Sequence, residues 1–239
     1  MKKALVTGGS GGIGAAICRR LSADGCHVYI HANRGLQTAQ ALSEEINAAG
    51  GSAEALCFDV TDRAAVEAVL LPLVEDEPIQ IVVNNAGIHD DAVFPGMTAE
   101  QWRSVIDVSV NGFFNVTHPL MMPMIRSRWG RIINVSSISA ITGNRGQVNY
   151  SAAKGALNSA TKALAQEVAS RGITVNAVAP GIIETSMSES SFPAEEIARM
   201  VPMKRAGTPT EVADLIGFLA SEQAAYISGQ IISINGAMI

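Results

Sequence analysis

Aromatic residues make up only 5% of this 239-residue chain, and charged residues only 16%. Few rings leave few stacking platforms for flat ligands, and a formal charge of −5 gives no basic surface for general nucleic-acid binding. No apolar run approaches the roughly 18 residues of a membrane span, so none is expected. The opening Met1-Lys2-Lys3 leads into a strand pattern and glycines, not into a long apolar segment with a cleavage site. No secretory signal is therefore expected, and a cytoplasmic location is. The three cysteines, Cys18, Cys26 and Cys57, are odd in number and lack CxxC spacing. They read as reduced thiols in small apolar positions, with no metal set and no disulfide framework. Linkers, internal repeats and low-complexity tails are missing too, so residues 1–239 read as one α/β domain.

What is present is apolar sequence, 48% of the chain, and 22 glycines. That composition suits a buried parallel sheet joined by tight turns. Ala4-Leu5-Val6-Thr7 predicts a first strand, Gly8-Gly9-Ser10-Gly11-Gly12-Ile13-Gly14 a turn, and Ala15-Ala16-Ile17-Cys18-Arg19-Arg20-Leu21 a helix. Such a turn lets backbone N–H groups approach a phosphate, with the positive end of a helix dipole behind them. Gly8, Ser10, Gly12, Ile13 and Gly14 are therefore candidate pyrophosphate contacts.

A second predicted strand, His27-Val28-Tyr29-Ile30-His31, ends at Ala32-Asn33-Arg34. In dinucleotide-binding units a carboxylate at this strand end grips the ribose 2′-hydroxyl of NAD, and none stands here. Arg34, with Asn33 beside it, either pairs with a 2′-phosphate, which makes NADP(H) the expected cofactor, or opens the next helix as a solvated charge. The third predicted strand, Ala53–Phe58, is followed by Asp59-Val60, where Asp59 either meets the adenine ring with Val60 beside it or only makes the turn, and by Thr61-Asp62, a helix-cap signal. The fourth, Pro78–Val83, leads to Asn84-Asn85-Ala86-Gly87, where small residues leave room for a cofactor and the amides can brace neighbouring loops. This alternation predicts an α/β fold: a single-domain, doubly wound parallel sheet of Rossmann type, about seven strands flanked by helices on both faces. Ligands of such sheets lie outside the carboxyl ends of the strands.

From Thr98 to about Ser127 the pattern is helical, with a break expected near Asn111-Gly112 because asparagine is a middling-to-poor helix former. Ile132–Ser137 predicts a buried strand ending in hydroxyls, and a helix from about 149 to 170 carries Tyr150 and Lys154, four apart on one face. A nearby cation favours an ionised phenol, so Lys154 is expected to bring Tyr150 toward proton exchange near neutrality. A sixth strand, Gly172–Val178, runs into Ala179-Pro180-Gly181-Ile182-Ile183-Glu184-Thr185. Residues 186–209 are the least regular and read either as a substrate lid or as a surface insertion, with a short helix around 194–200. A final helix, about 210–221, and a strand, about 230–234, close the sheet.

In this order and at this spacing, the residues resemble the short-chain dehydrogenase/reductase family over the whole chain. The family's glycine motif is matched by Thr7-Gly8-x-x-x-Gly12-x-Gly14, its structural motif by Asn84-Asn85-Ala86-Gly87, and its active-site motif by Tyr150-x-x-x-Lys154 with Ser137 ahead of it. The resemblance implies an NADP(H)-linked oxidoreductase with Asn111, Ser137, Tyr150 and Lys154 catalytic. It implies that Asn85, Ala86, Gly87, Tyr150, Lys154, Pro180, Gly181, Ile183 and Thr185 also touch the cofactor, Thr185 at the nicotinamide carboxamide. It implies a homo-oligomer, usually a tetramer, built partly on the helices around 98–127 and 149–170.

Within the family, Asn144-x-Gly146-Gln147-x-Asn149-Tyr150 and the ending Tyr226-Ile227-Ser228-Gly229-Gln230 through Asn235-Gly236 are similar to 3-oxoacyl-[acyl-carrier-protein] reductases. That likeness implies a 3-oxoacyl thioester substrate on acyl carrier protein, with Arg128 and Arg171 as carrier contacts. Arg126, Arg128 and Arg131 together read as a basic cluster able to steer an acidic partner to the cleft. Where many NADPH-using members carry a basic residue beside the motif glycines, Gly11 and Ala15 stand here, so the phosphate preference rests on Arg34, Asn33 and the missing acid. The alternatives are a same-mechanism reductase of a coenzyme A thioester, sugar or steroid, and a catalytically silent cofactor-binding protein.

Overall fold

A computed structural model describes residues 1–185 and 193–239. Among them the short apolar runs form seven strands: β1 (Lys3–Val6), β2 (His27–Ala32), β3 (Ser52–Cys57), β4 (Ile81–Asn84), β5 (Gly130–Val135), β6 (Ile173–Pro180) and β7 (Ile231–Ile234). They lie in the order β3-β2-β1-β4-β5-β6-β7, and every pairing is parallel. The order turns back on itself between β1 and β4, which opens a crevice at their carboxyl ends.

The helices are α1 (Gly12–Ala23), α2 (Leu36–Ala48), α3 (Arg63–Leu73), α4 (Ala99–Ile106), α5 (Gly112–Ser127), α6 (Ser139–Thr142), α7 (Val148–Val168), α8 (Ala194–Met200) and α9 (Pro209–Ala220). None of the described helices is long and apolar enough to cross a membrane. Strand side chains alternate between two layers, as the period of 2 requires. Ala4, Val6, Ile81 and Val83 face one apolar cluster with Ile17 and Leu21 of α1 and Val212 and Ile216 of α9. Leu5, Val82 and Ile132 face the other, with Val66 and Leu70 of α3, Val116 and Leu120 of α5, and Ala165 and Val168 of α7. The central strands are thus covered on both sides, which is why Ala4–Val6 and Ile81–Val83 read as unbroken hydrophobic runs.

Helix starts follow the sequence signals. Asp62 caps α3 by accepting the Ala65 N–H, and Thr98 and Gln101 form a capping box at α4. The break expected near Asn111 is a π-helical turn, Asp107–Asn111, joining α4 to α5. Of the expected lid, residues 186–192 lie outside the described residues. The rest returns through α8 to Gly207, which bridges in parallel to Ile183, accepts the Glu184 N–H and donates its own to Ile182.

Candidate active site

The turn after β1 is held in shape by backbone contacts that only glycine allows. Gly8 sits at φ +62°, its carbonyl accepts the Gly11 N–H, and a Cβ on Gly14 would fall 2.2 Å from that same carbonyl. Gly11 precedes α1 at its N-cap and offers no side-chain cap, and no acidic residue stands in the first turn, so the leading N–H groups are left for an anion. Asn85 braces this turn: its side-chain amide donates to the carbonyls of Thr7 (3.0 Å) and Gly8 (3.1 Å). Thr7 Oγ1 in turn accepts the N–H groups of Asn85 and Ala86, each at 3.0 Å. Bracing is therefore what the Asn85 amide does here.

At the ends of β2 and β3, Asn33 and Arg34 are exposed and converge with Asp59. The Asp59 carboxylate accepts the Thr61 N–H (2.9 Å) and hydroxyl (2.8 Å). These bonds, the Asn33 side chain and the Arg34 charge hold its carboxyl below the usual range. Val60 is buried, and its carbonyl accepts Asn115 Nδ2 at 2.9 Å.

Beyond β5, Ser137 Oγ accepts the Ser139 N–H at 3.1 Å and hydrogen-bonds the Tyr150 phenol. Lys154 is buried, and its Nζ donates to the Val135 carbonyl at 2.8 Å, against Gly87. Ser137, Tyr150 and Lys154 thus meet at the carboxyl end of β5, beside the Asn84–Gly87 segment.

The electrostatics differ from the expectation for Tyr150. Burial raises the phenol above its ordinary value, the Ser137 hydroxyl lowers it, and the Asp91 charge raises it again. The Lys154 ammonium is drawn to the Val135 carbonyl and stands 5.7 Å from the Tyr150 ring centre. Burial instead lowers Lys154 itself, to about 8.

Asn111 is not brought into this cluster. It is exposed, and its Nδ2 donates to Asp107 Oδ1 at 2.7 Å on the π-helical turn. The residue of that turn facing inward is Ser109, 2% exposed, with a hydroxyl that is buried without a partner among the described residues. It lines a small cavity with Thr7, Asn84, Ala86 and Gly112. The π-helical turn adds a residue to the helical cycle and rotates the inward phase, a shift invisible to 3.6-residue periodicity.

The Pro180–Thr185 segment runs alongside the glycine turn, where a Cβ on Gly12 would meet Thr185 Cγ2 at 3.1 Å. Gly181 donates to Ile234 and the Pro180 carbonyl accepts from Ile138, each at 2.9 Å, so both neighbouring strand ends hold it. Ile183 is buried.

The arginines fall elsewhere. Arg128 and Arg171 stand just before β5 and β6, at the amino edge of the sheet and opposite Ser137 and Tyr150. Arg131 is 2% exposed, stacks on Trp129 with a 4.3 Å separation and faces Glu222, so it belongs to no surface cluster. A basic rim around this chain's own cleft is therefore not formed by these three residues and Arg126.

The model of the short chain dehydrogenase family matches residues 2–196. The chain belongs to that family. It is 44% identical over 236 residues to 3-oxoacyl-[acyl-carrier-protein] reductase FabG of Aggregatibacter actinomycetemcomitans, with 98% of each chain covered. It is 45% identical over 237 residues to an acetoacetyl-CoA reductase of Rhizobium meliloti, covering 98% of this chain and 96% of the relative. Nodulation protein G of Azospirillum brasilense is 42% identical over 240 residues, covering 99% and 98%.

Proposed function

We propose that this chain reduces the 3-oxo group of an acyl thioester carried on acyl carrier protein to the 3-hydroxy group, with NADPH as reductant, in fatty-acid or related acyl-chain biosynthesis in the cytoplasm. The observation that carries the reading is the convergence of Ser137, Tyr150 and Lys154 beside an uncapped glycine turn at one sheet edge. Full-length similarity to 3-oxoacyl-[acyl-carrier-protein] reductases supports the substrate class.

The residues at this sheet edge suit a dinucleotide. The N–H groups of the Gly8–Gly14 turn and of the start of α1 would hold the pyrophosphate, Asp59 and Val60 would flank the adenine, and Lys154 would reach the nicotinamide ribose. Pro180, Gly181, Ile183 and Thr185 would hold the carboxamide. When bound, the dinucleotide supplies the hydride. The protein's own groups manage the oxygen and its proton. Ser137 presents a hydroxyl to the substrate carbonyl, and Tyr150, kept protonated at neutral pH by its burial, gives its proton as negative charge develops there. Lys154 places a buried donor next to this region without spending its charge on a carboxylate. Preference for NADPH over NADH rests on Arg34 and on the missing carboxylate at the end of β2.

Tyr150→Phe is expected to lower turnover by about 10²–10⁴-fold while leaving cofactor affinity near wild type. Full turnover in that variant ends the assignment of the proton donor. The substrate is tested by steady-state assay with NADPH and NADH on acetoacetyl groups carried by acyl carrier protein and by coenzyme A. A preference of kcat/KM for coenzyme A would favour the second reading, a coenzyme A thioester reductase, which the Rhizobium meliloti relative supports.

A further inference from the structure

His31 lies near the carboxyl end of β2 and is 1% exposed, and both nitrogens of its ring are engaged. Nδ1 accepts the Gly8 N–H at 3.1 Å, and Nε2 lies 2.8 Å from the Phe58 carbonyl. These partners fix the tautomer: a backbone N–H only donates, so Nδ1 is bare, and a carbonyl only accepts, so Nε2 carries the proton. The His31 carbonyl also accepts the Gly9 N–H at 2.8 Å, and the ring lies 4.0 Å from that of Phe58. One buried side chain therefore spans the glycine turn and the loop that opens at Phe58 and continues into Asp59 and Val60.

We propose that His31 is a positioning residue of the cofactor site, a neutral imidazole that locks the Gly8 peptide and ties the pyrophosphate turn to the adenine wall, so that dinucleotide binding requires it unprotonated. The inference rests on the dinucleotide-binding reading above.

Gly8 is the hinge of this arrangement. Its N–H points into His31 and not toward a ligand, while its carbonyl takes both Gly11 N–H and Asn85 Nδ2. A second proton on the ring would set two N–H groups against each other across 3.1 Å, and the Gly8 peptide would have to turn. The carbonyl in that peptide plane is that of Thr7, so turning it breaks the 3.0 Å bond from Asn85 Nδ2 and loosens the brace beneath the turn that would hold the pyrophosphate.

The surroundings favour the neutral ring. Burial lowers its pKa from the ordinary value, against the smaller raising effects of the Phe58 carbonyl and the Asp59 charge. The other titratable side chains on the elements packed here are Cys18 of α1, whose thiol burial pushes far up and leaves uncharged, Cys57 of β3, and Arg34 beyond β2. β1 brings none at this end. As pH falls through the ordinary histidine range, an unfolded or opened chain takes a proton that the closed one resists, so closure weakens on the acid side.

The test is the dissociation constant of NADH, followed by its fluorescence between pH 5.5 and 8.5, for the wild type, His31→Gln and His31→Leu. NADH is the probe because it lacks the 2′-phosphate, whose own titration would overlap. The wild-type constant is expected to rise toward the acid end, by at most about tenfold per pH unit because one proton is linked. Gln offers one acceptor and one donor in neutral form, so His31→Gln should bind within about threefold of wild type at pH 8 and lose the acid-side slope. Leu offers neither, and should weaken binding at least tenfold at pH 8. A flat wild-type profile, an acid-side slope retained in His31→Gln, or wild-type affinity in His31→Leu overturns the role of His31. If His31→Gln does not fold, the wild-type profile alone decides. Wild-type protein that binds neither NADH nor NADPH at pH 8 overturns the dinucleotide reading and this inference with it, whereas binding with a flat profile overturns this inference alone.

Discussion

A lysine as deeply enclosed as Lys154 works against folding. Its pKa, drawn from 10.5 to about 8, means that burying the ammonium costs about 3 kcal/mol at neutral pH. Because the folded chain releases this proton before the unfolded one does, stability from this group rises with pH between about 8 and 10.5. Lys154→Met is therefore expected to raise the stability of the free protein by about 1–3 kcal/mol at pH 7, less the bond to Val135, while abolishing turnover. Urea titrations at pH 7 and pH 10 check this: the variant's advantage should shrink at the higher pH, and a variant less stable than wild type at pH 7 contradicts the burial cost. At this scale the sequence was readable where spacing is local: Tyr150 and Lys154 share a helix face and Ser137 ends a strand, and the fold brings these three candidates together. The state of the phenol was not readable, because burial outweighs a charge whose side chain turns to another acceptor.

The elements beneath the site are joined by a buried polar chain. Asn84 Nδ2, at the end of β4, donates to Thr117 Oγ1 of α5 (3.0 Å) and to Asn134 Oδ1 of β5 (2.9 Å). Asn134 Nδ2 then donates to Thr161 Oγ1 of α7 at 2.8 Å, which passes its own proton to the Leu157 carbonyl. Both asparagines are buried among apolar neighbours, and their amides are satisfied through other elements. Asn134→Leu is expected to cost about 2–4 kcal/mol, since it leaves the second Asn84 contact unmade in a dry interior. The Asn84→Leu/Asn134→Leu pair should cost less than the sum of the two single changes, and strict additivity in urea midpoints would show that the two residues are not coupled. The element boundaries were legible from glycines, caps and strand runs. The π-helical turn was legible only as a break near Asn111, because an extra residue in a helical cycle leaves no compositional mark, and Ser109 was passed over for that reason.

For the whole molecule, strand count, parallel pairing and the carboxyl-edge location of the site all followed from the βα alternation, which is written locally. The placement of Arg128 and Arg171 did not, since it depends on which end of β5 and β6 a loop joins. Assembly is a proposal at this scale. Phe114 and Met122 of α5, Trp102 of α4 and Val148 of α7 expose apolar surface, as a helical interface between copies needs. Light scattering on the eluted protein should give about four times the 25.0 kDa of one chain, and Phe114→Glu with Met122→Glu should reduce that mass. A wild-type monomer would count against the tetramer.

The strand order carries one more consequence. The first of these seven strands in chain order, β1, is interior to the finished sheet, with its partners added on one side by β2 and β3 and on the other by β4 through β7. Chain order therefore builds this sheet from the inside outward, and losing its first strand and losing its last are unequal. Trimming the last residues strips an outer strand and spares the nucleotide half, whereas trimming the first few removes the strand on which both halves are laid.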